Sequence, residues 1–203
     1  MDLDPLPAFA PATMTADPAR HRTPDELELA LDHIRRAPSD HGTLELIVRR
    51  PDVNEREILD TGHLSLQEGL EGDNWRDRGS SRTPDGGPHP DMQLNIMSAR
   101  AAAAVAGPTD RWALAGDQLY IDLDLSTETL PPGTRLAVGE AIIQITAEPH
   151  TGCGKFAARF GHDALRFVNS PTGRALNLRG VNARVAHPGP IRQGDPVRLQ
   201  RRS

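Results

Sequence analysis

The sequence predicts a mainly β fold with interspersed short helices, an α+β barrel, and three observations predict it. Short runs of alternating apolar and polar residues recur along most of the chain, each bounded by turn residues. Eighteen prolines and eighteen glycines in 203 residues break the chain often and leave little room for long helices. The apolar share is 37% and the aromatic share only 3%, enough for one core built from Leu, Ile, Val and Ala. About seven to nine short strands with small helices between them suit a barrel or a sandwich.

Residues 1–22 are rich in Pro and Ala and show no periodicity, so a loose extension is expected. Thr23-Pro24-Asp25-Glu26 is a helix start, with Thr as N-cap, Pro at the first helical position and Glu at the third. Leu27, Ala30, Leu31 and Ile34 follow at helical spacing, and Ala37-Pro38 ends a helix over about 24–36. Residues 1–41 are therefore read as an N-terminal extension that lays one helical face on the main body, and 42–203 as the barrel domain.

From Gly42 the period changes to two. Leu44 to Val48 reads as a strand ended by Pro51, and Arg56 to Leu66 as one or two more. Gly69-Leu70-Glu71-Gly72-Asp73 is a glycine-punctuated turn in which Asp73 is expected to brace the loop by accepting backbone N–H bonds. Residues 76–90 form a long polar loop carrying Arg76, Arg78, Arg82 and His89, a composition able to grip an oxyanion through paired guanidinium contacts or to remain solvated. Gln93 to Met97, with Asn95 at its centre, reads as a strand, and Ser98 caps a helix over Ala99–Ala106 closed by Gly107-Pro108. Another short helix from Thr109, the strand Leu119–Leu125, and paired strands around Gly139-Glu140 lead to Ala147. Beyond Ser170, Val181 to Val185 and the segment ending near Leu199 close the pattern.

The chemistry concentrates in Pro149-His150-Thr151-Gly152-Cys153-Gly154-Lys155-Phe156. Cys153 is the chain's one cysteine, and Lys155 its one lysine among 23 basic residues. A thiol between a strand and a helix start, with an ammonium two residues on, sits where the thiolate is favoured as nucleophile or metal ligand. A buried core cysteine is the plainer alternative. Gly154-Lys155 is not a phosphate-binding P-loop, since Pro149 stands where its first glycine belongs and Phe156 replaces the hydroxyl residue. His150 and Cys153 lack the second ligand pair of a zinc site. A Cys153–His162 dyad is left open by the sequence.

Composition excludes other classes. The net charge is −5 and the arginines are dispersed, so nucleic acid is not an expected partner. One cysteine rules out an internal disulfide framework and suits a reducing compartment. No basic-then-apolar leader opens the chain, and the small-apolar run Ala101–Ala106 is too short for a bilayer, so a cytoplasmic protein without a membrane partner is expected.

Taken in order, the segments resemble the MOSC domain, the family named after the C-terminal domain of molybdenum cofactor sulfurases. The resemblance rests on Leu44–Val48, Gly69–Asp73, Gln93–Met97 running into a helix, and Leu130–Thr146 followed by Cys153. Arg179-Gly180-Val181-Asn182-Ala183-Arg184-Val185 and the Gly194-Asp195-Pro196-Val197 turn complete it, over about residues 42–200. It implies a MOSC-like β-barrel and a cysteine, here Cys153, that carries sulfur as a persulfide or binds molybdenum through its thiolate. Lys155 would stabilise the anion, and Asp73, Arg76, Arg78, Arg82, Asn95 and Asp117 would bind the molybdenum cofactor. Many members carry Gly-Glu-Asn-Leu where this chain has Gly116-Asp117-Gln118-Leu119, which shifts those groups by one methylene each. The family is also associated with pyridoxal phosphate, for which Lys155 would be the Schiff-base residue. A cysteine desulfurase or another sulfur donor is the partner so implied. The alternative is a non-catalytic module binding the cofactor or an N-hydroxylated purine, with Cys153 only lining the groove.

Overall fold

The computed structural model describes residues 20–200. Its strands are β1 (His41–Arg49), β2 (Glu57–Leu59), β3 (Thr61–Ser65), β4 (Gly69–Leu70), β5 (Leu94–Ser98), β6 (Leu119–Asp122), β7 (Arg135–Val138), β8 (Ala141–Ile145), β9 (Val181–His187), β10 (Gly189–Arg192) and β11 (Pro196–Gln200). Strand pairing runs β11-β7-β8-β9-β5-β6-β1, and β1 returns to β11 through His41↔Arg198, so seven strands close a ring. Every pair in the ring is antiparallel except β5–β6. The result is a mixed β-barrel, with β2 extending its edge and β10-β3-β4 forming a small second sheet.

Alternation decides which side chains fill the barrel. Leu94 and Ile96 of β5, Leu119 and Ile121 of β6, and Val181, Ala183 and Val185 of β9 point into one core cluster. Their neighbours Met97 and Tyr120 point outward into a second cluster beneath the helices. In β1 the pairing register shifts between Leu44 and Leu46. That bulge lets Leu44 and Ile47 face the barrel while Leu46 and Val48 face the helical layer.

The outer layer holds α1 (Pro24–Leu29), α2 (Leu31–Arg35), α3 (Trp75–Arg78), α4 (Ala99–Ala106), α5 (Gly154–Asn169) and α6 (Pro171–Ala175), with a 3-10 turn over Thr109–Ala115. The capping box read at Thr23 and Glu26 forms, and Ser98 caps α4 through the Ala101 N–H. The single helix expected over 24–36 is two short ones meeting at Ala30. Leu27, Leu31 and Ile34 are buried in the outer cluster with Val105, Phe160 and Leu46. The segment 1–19, expected to be loose, lies outside the described residues. Helix α5 is broken at Gly161, whose φ of 92° only glycine adopts readily, so two helical arms meet there.

Among the described residues no helix is long and apolar enough to cross a membrane.

Candidate functional site

Where the outer wall of the barrel meets α5 and the 3-10 turn, a cleft of about 240 Å³ opens. The sequence dictates its back wall. Arg50, Asn95 and Asn182 fall one residue out of phase with the core-facing residues of β1, β5 and β9, so they project on the helix side. Asn95 donates to Asn182 Oδ1 at 2.6 Å and accepts from Arg50 Nη1 at 3.0 Å. Asn182 in turn donates to the Glu148 carbonyl.

Two buried ion pairs set the floor. Arg50 grips Asp73 with Nε and Nη2, each at 2.8 Å, and the pair is almost fully removed from solvent. Asp73 also accepts from the backbone N–H of Arg50 and of Trp75, both at 3.0 Å, and from Gln118 Nε2. In the second pair Arg179 Nη1 reaches both oxygens of Asp117, at 2.9 and 2.7 Å. The Arg179 guanidinium lies 5.0 Å from the centre of the Phe156 ring. Burial pushes the Asp117 carboxyl above its ordinary pKa, and Arg179 opposes the shift.

His150 stands beside this second pair. Its Nδ1 is 3.5 Å from Asp117 Oδ1 but makes no hydrogen bond, and it is buried. Burial, reinforced by Arg179, Arg50 and Arg82, holds this imidazole well below its ordinary value of 6.5. Arg179 Nε and Asn74 Oδ1 are likewise buried without a partner. Among the described residues three buried polar atoms thus meet around one cleft without a protein partner.

The expected residues divide clearly. Cys153 is exposed at the N-cap of α5, and it lines the cleft with Lys155, Arg78 and Asn95. Asp73 and Asp117 lie behind the cleft, holding Arg50 and Arg179 in place. Arg76 and Arg82 do not line it. Arg76 is mostly exposed and lies 3.7 Å from Glu68, while Arg82 pairs with Glu148 at 3.1 Å. A loop of alternating charge could not reveal which of its arginines turn inward.

Arg50, Arg56, Arg159 and Arg179 line the cleft and were not among the expected site residues. With Arg78 and Lys155 they give the lining six cations, against the single carboxylate of Asp52. Burial lowers the pKa of Arg78, and Arg50 adds to that. Among the described residues no group of three or more His, Cys, Asp and Glu could hold a metal ion.

Comparison with known proteins adds the lineage. Residues 86–198 match the MOSC domain family. No curated protein matches the sequence. Among solved structures, the YuaD protein from Bacillus subtilis aligns with a TM-score of 0.59 at 16% identity, covering 80% of this chain and 97% of that one. YiiM from Escherichia coli aligns at 0.51 and 21% identity, covering 79% and 71%, and YiiM from Geobacillus stearothermophilus at 0.55 and 16%, covering 79% and 76%. At such identities the likeness speaks for the barrel alone. The sequence match spans more than half of the chain and includes Asp117, His150, Cys153 and Arg179, so the chain belongs to the MOSC domain family.

Proposed function

We propose that the cleft binds a molybdenum cofactor or a closely related anionic pterin, with the Cys153 thiol as the protein's ligand to its metal. The observation that carries this reading is the convergence of the chain's one thiol with six cationic side chains, in a protein whose net charge is −5. Such a concentration of charge selects an anion against the field of the whole molecule. The unpaired Arg179 Nε and His150 Nδ1 supply a donor and a tautomer-dependent group for the heterocycle's polar edge. When bound, the cofactor would supply oxygen-atom or sulfur chemistry. The chain itself positions the ligand through Arg50 and Arg179, presents one soft sulfur, and keeps His150 neutral beside it.

A second reading is favoured by the exposure of Cys153. In it, the Cys153 thiolate attacks the outer sulfur of a cysteine desulfurase's persulfide and displaces that enzyme's cysteine thiolate, so the donor's active site must reach it directly. Lys155 beside an anion-selective cleft would also permit pyridoxal phosphate, and trapping with borohydride would detect that imine.

The test is to purify the protein from cells that make the cofactor and to quantify molybdenum and pterin per chain, with Cys153→Ser alongside. Expected is a pterin in both proteins but molybdenum retained only with the thiol. Cys153 alkylation, clean because no other thiol exists, should slow when the cofactor is present. Wild-type protein that holds neither metal nor pterin, and whose thiol reacts equally fast with and without added cofactor, would overturn the reading. A persulfide found by mass spectrometry on such cofactor-free protein would favour the second.

A further inference from the structure

Helix α5 carries the thiol at one end and a residue that grips the thiol's neighbour at the other. Cys153 is its N-cap and Asn169 its last residue. Along a straight helix, rising about 1.5 Å per residue, Gly152 and Asn169 would stand about 25 Å apart. Instead the Gly152 N–H donates to Asn169 Oδ1 at 3.0 Å, and Asn169 Nδ2 donates back to the Gly152 carbonyl at 3.1 Å. The break at Gly161 permits this, because its positive φ turns the second arm back toward the start of the helix. Phe156 and Phe160 of the first arm and Ala164 and Val168 of the second are buried in one cluster, which fixes the angle between the arms.

The two bonds constrain Cys153 through its backbone. The Gly152 N–H and carbonyl belong to the peptide groups on either side of Gly152, so one carboxamide orients both planes. The second plane ends at the Cys153 nitrogen. On the far side, the Cys153 carbonyl accepts from the Ala157 N–H at 3.1 Å. Both peptide groups flanking the Cys153 Cα are thereby held, while no capping bond ties the thiol itself. Gly152 has no room for a side chain. A Cβ there would lie 2.8 Å from Leu165 Cδ1 and 3.0 Å from Val168 Cγ2, both on the second arm. Asn169 does not line the cleft; it lines a separate hollow of about 370 Å³ that shares His150, Thr151 and Arg179 with it. Its route to the cleft runs through Gly152 and Cys153.

We propose that Asn169 is a positioning residue that holds the Cys153 thiol toward the cleft, with Gly161 as the bend that brings it there. A carboxamide suits the task because it pairs one backbone N–H and one backbone carbonyl at once, which neither a carboxylate nor an apolar side chain can do. This rests on the reading of Cys153 as the reacting thiol of the cleft and adds the residue that aims it.

The experiment alkylates the cofactor-free full chain with iodoacetate and with iodoacetamide at one pH and one ionic strength. The thiolate attacks both reagents, so the ratio of the two rates cancels the thiolate fraction and reports the charge around Cys153. A thiol held beside six cations should favour the anionic reagent about tenfold more than N-acetylcysteinamide, a neutral free thiol, does. Asn169→Leu keeps the volume and removes both bonds, and Gly152→Ala pushes the segment off the second arm. Each should bring the ratio within about threefold of the free thiol's, since a released thiol swings into solvent where the cations are screened. Asn169→Gln, with the same carboxamide on a longer stem, should keep part of the preference. Ser170→Ala controls for stability, because Ser170 Oγ accepts from the Gly173 N–H at 2.9 Å without touching Gly152. It should lower the melting temperature by about 2–4 °C and leave the ratio unchanged. If Asn169→Leu does not fold, the milder Asn169→Gln must still fall below wild type. An unchanged ratio in the Asn169 variants, an equal fall in Ser170→Ala, or a wild-type ratio no higher than the free thiol's would overturn the positioning role. A lowered ratio in Asn169→Leu, with a wild type that never takes up molybdenum or pterin, would keep that role and overturn the cofactor reading. Normal loading with an unchanged ratio would do the reverse.

Discussion

The Arg50–Asp73 pair offers the most direct test of how the cleft is built. Asp73→Ala removes an acceptor that serves two guanidinium N–H groups at 2.8 Å and two backbone N–H groups at 3.0 Å. Arg50 is only 4% exposed and would keep just Asn95 and the Gly116 carbonyl as partners. Stranding one half of a buried pair costs about 3–5 kcal/mol. At about 2–4 °C per kcal/mol for a protein of this size, the melting temperature should fall by about 6–20 °C. Thermal unfolding followed by circular dichroism measures it. Asp73→Asn, which keeps an acceptor oxygen, should lie between Asp73→Ala and wild type. The double variant Arg50→Met/Asp73→Leu, which removes both charges at similar volume, should recover most of the loss while abolishing anion binding. A single Asp73→Ala variant within about 1 kcal/mol of wild type would show that the pair is solvated in solution and that the floor of the cleft is not rigid.

Other outcomes are expected. His150 has a depressed pKa in the fold, so the unfolded chain binds the extra proton, and stability present above pH 6.5 is lost as pH falls below it. His150→Gln should therefore flatten the fall in melting temperature on acidification, by up to about 1.4 kcal/mol per pH unit; parallel curves for the two proteins would refute the burial of a neutral imidazole. Gly180→Ala should destabilise strongly and impair the cleft. The residue has a φ of 109°, and its Cβ would lie 2.1 Å from the Ile96 carbonyl oxygen, next to Arg179. Soluble, stable Gly180→Ala protein that loads cofactor as wild type does would contradict this. Leu27→Ala should cost about 2–5 kcal/mol if α1 belongs to the folded unit, since Leu27 is 1% exposed in the outer cluster; a loss below about 1 kcal/mol would make the N-terminal helices a dispensable attachment.

Much of the barrel was legible because its signals are local. Strand alternation, the Thr23–Glu26 capping box and the Ser98 cap each depend on residues within a few positions of one another. The bulge in β1 was not legible, because a slipped register leaves the apolar pattern of Leu44, Leu46 and Val48 looking regular. The site was legible mainly where residue type was rare, although the family resemblance also carried Arg78 and Asn95 to the cleft. Cys153 and Lys155 stand out by scarcity, whereas Arg50, Arg56, Arg159 and Arg179 are lost among many arginines. Asp73 reads as a turn residue, and nothing near it announces Arg50, which reaches it across 23 positions only after β1 and the turn are folded together. Backbone acceptors are harder still. The carbonyls of Ala113, Leu114, Ala115 and Gly116, which accept in turn from Arg56, Arg159, Arg179 and Arg50, belong to residues whose side chains carry no polar group at all.

The closing pair β1–β11 joins His41 to Arg198 and Thr43 to Pro196, near opposite ends of the described chain. Contacts of such high sequence separation form slowly and late. A chain emerging from the ribosome cannot close its ring until β11 has been made. Arg50 leaves β1 while Arg179 leads into β9, so the cleft's two anchoring arginines depend on that same ring. The cleft is thereby deferred until residues 196–200 have been made, and a chain interrupted before β11 would carry its arginines on strands that no closed ring holds together.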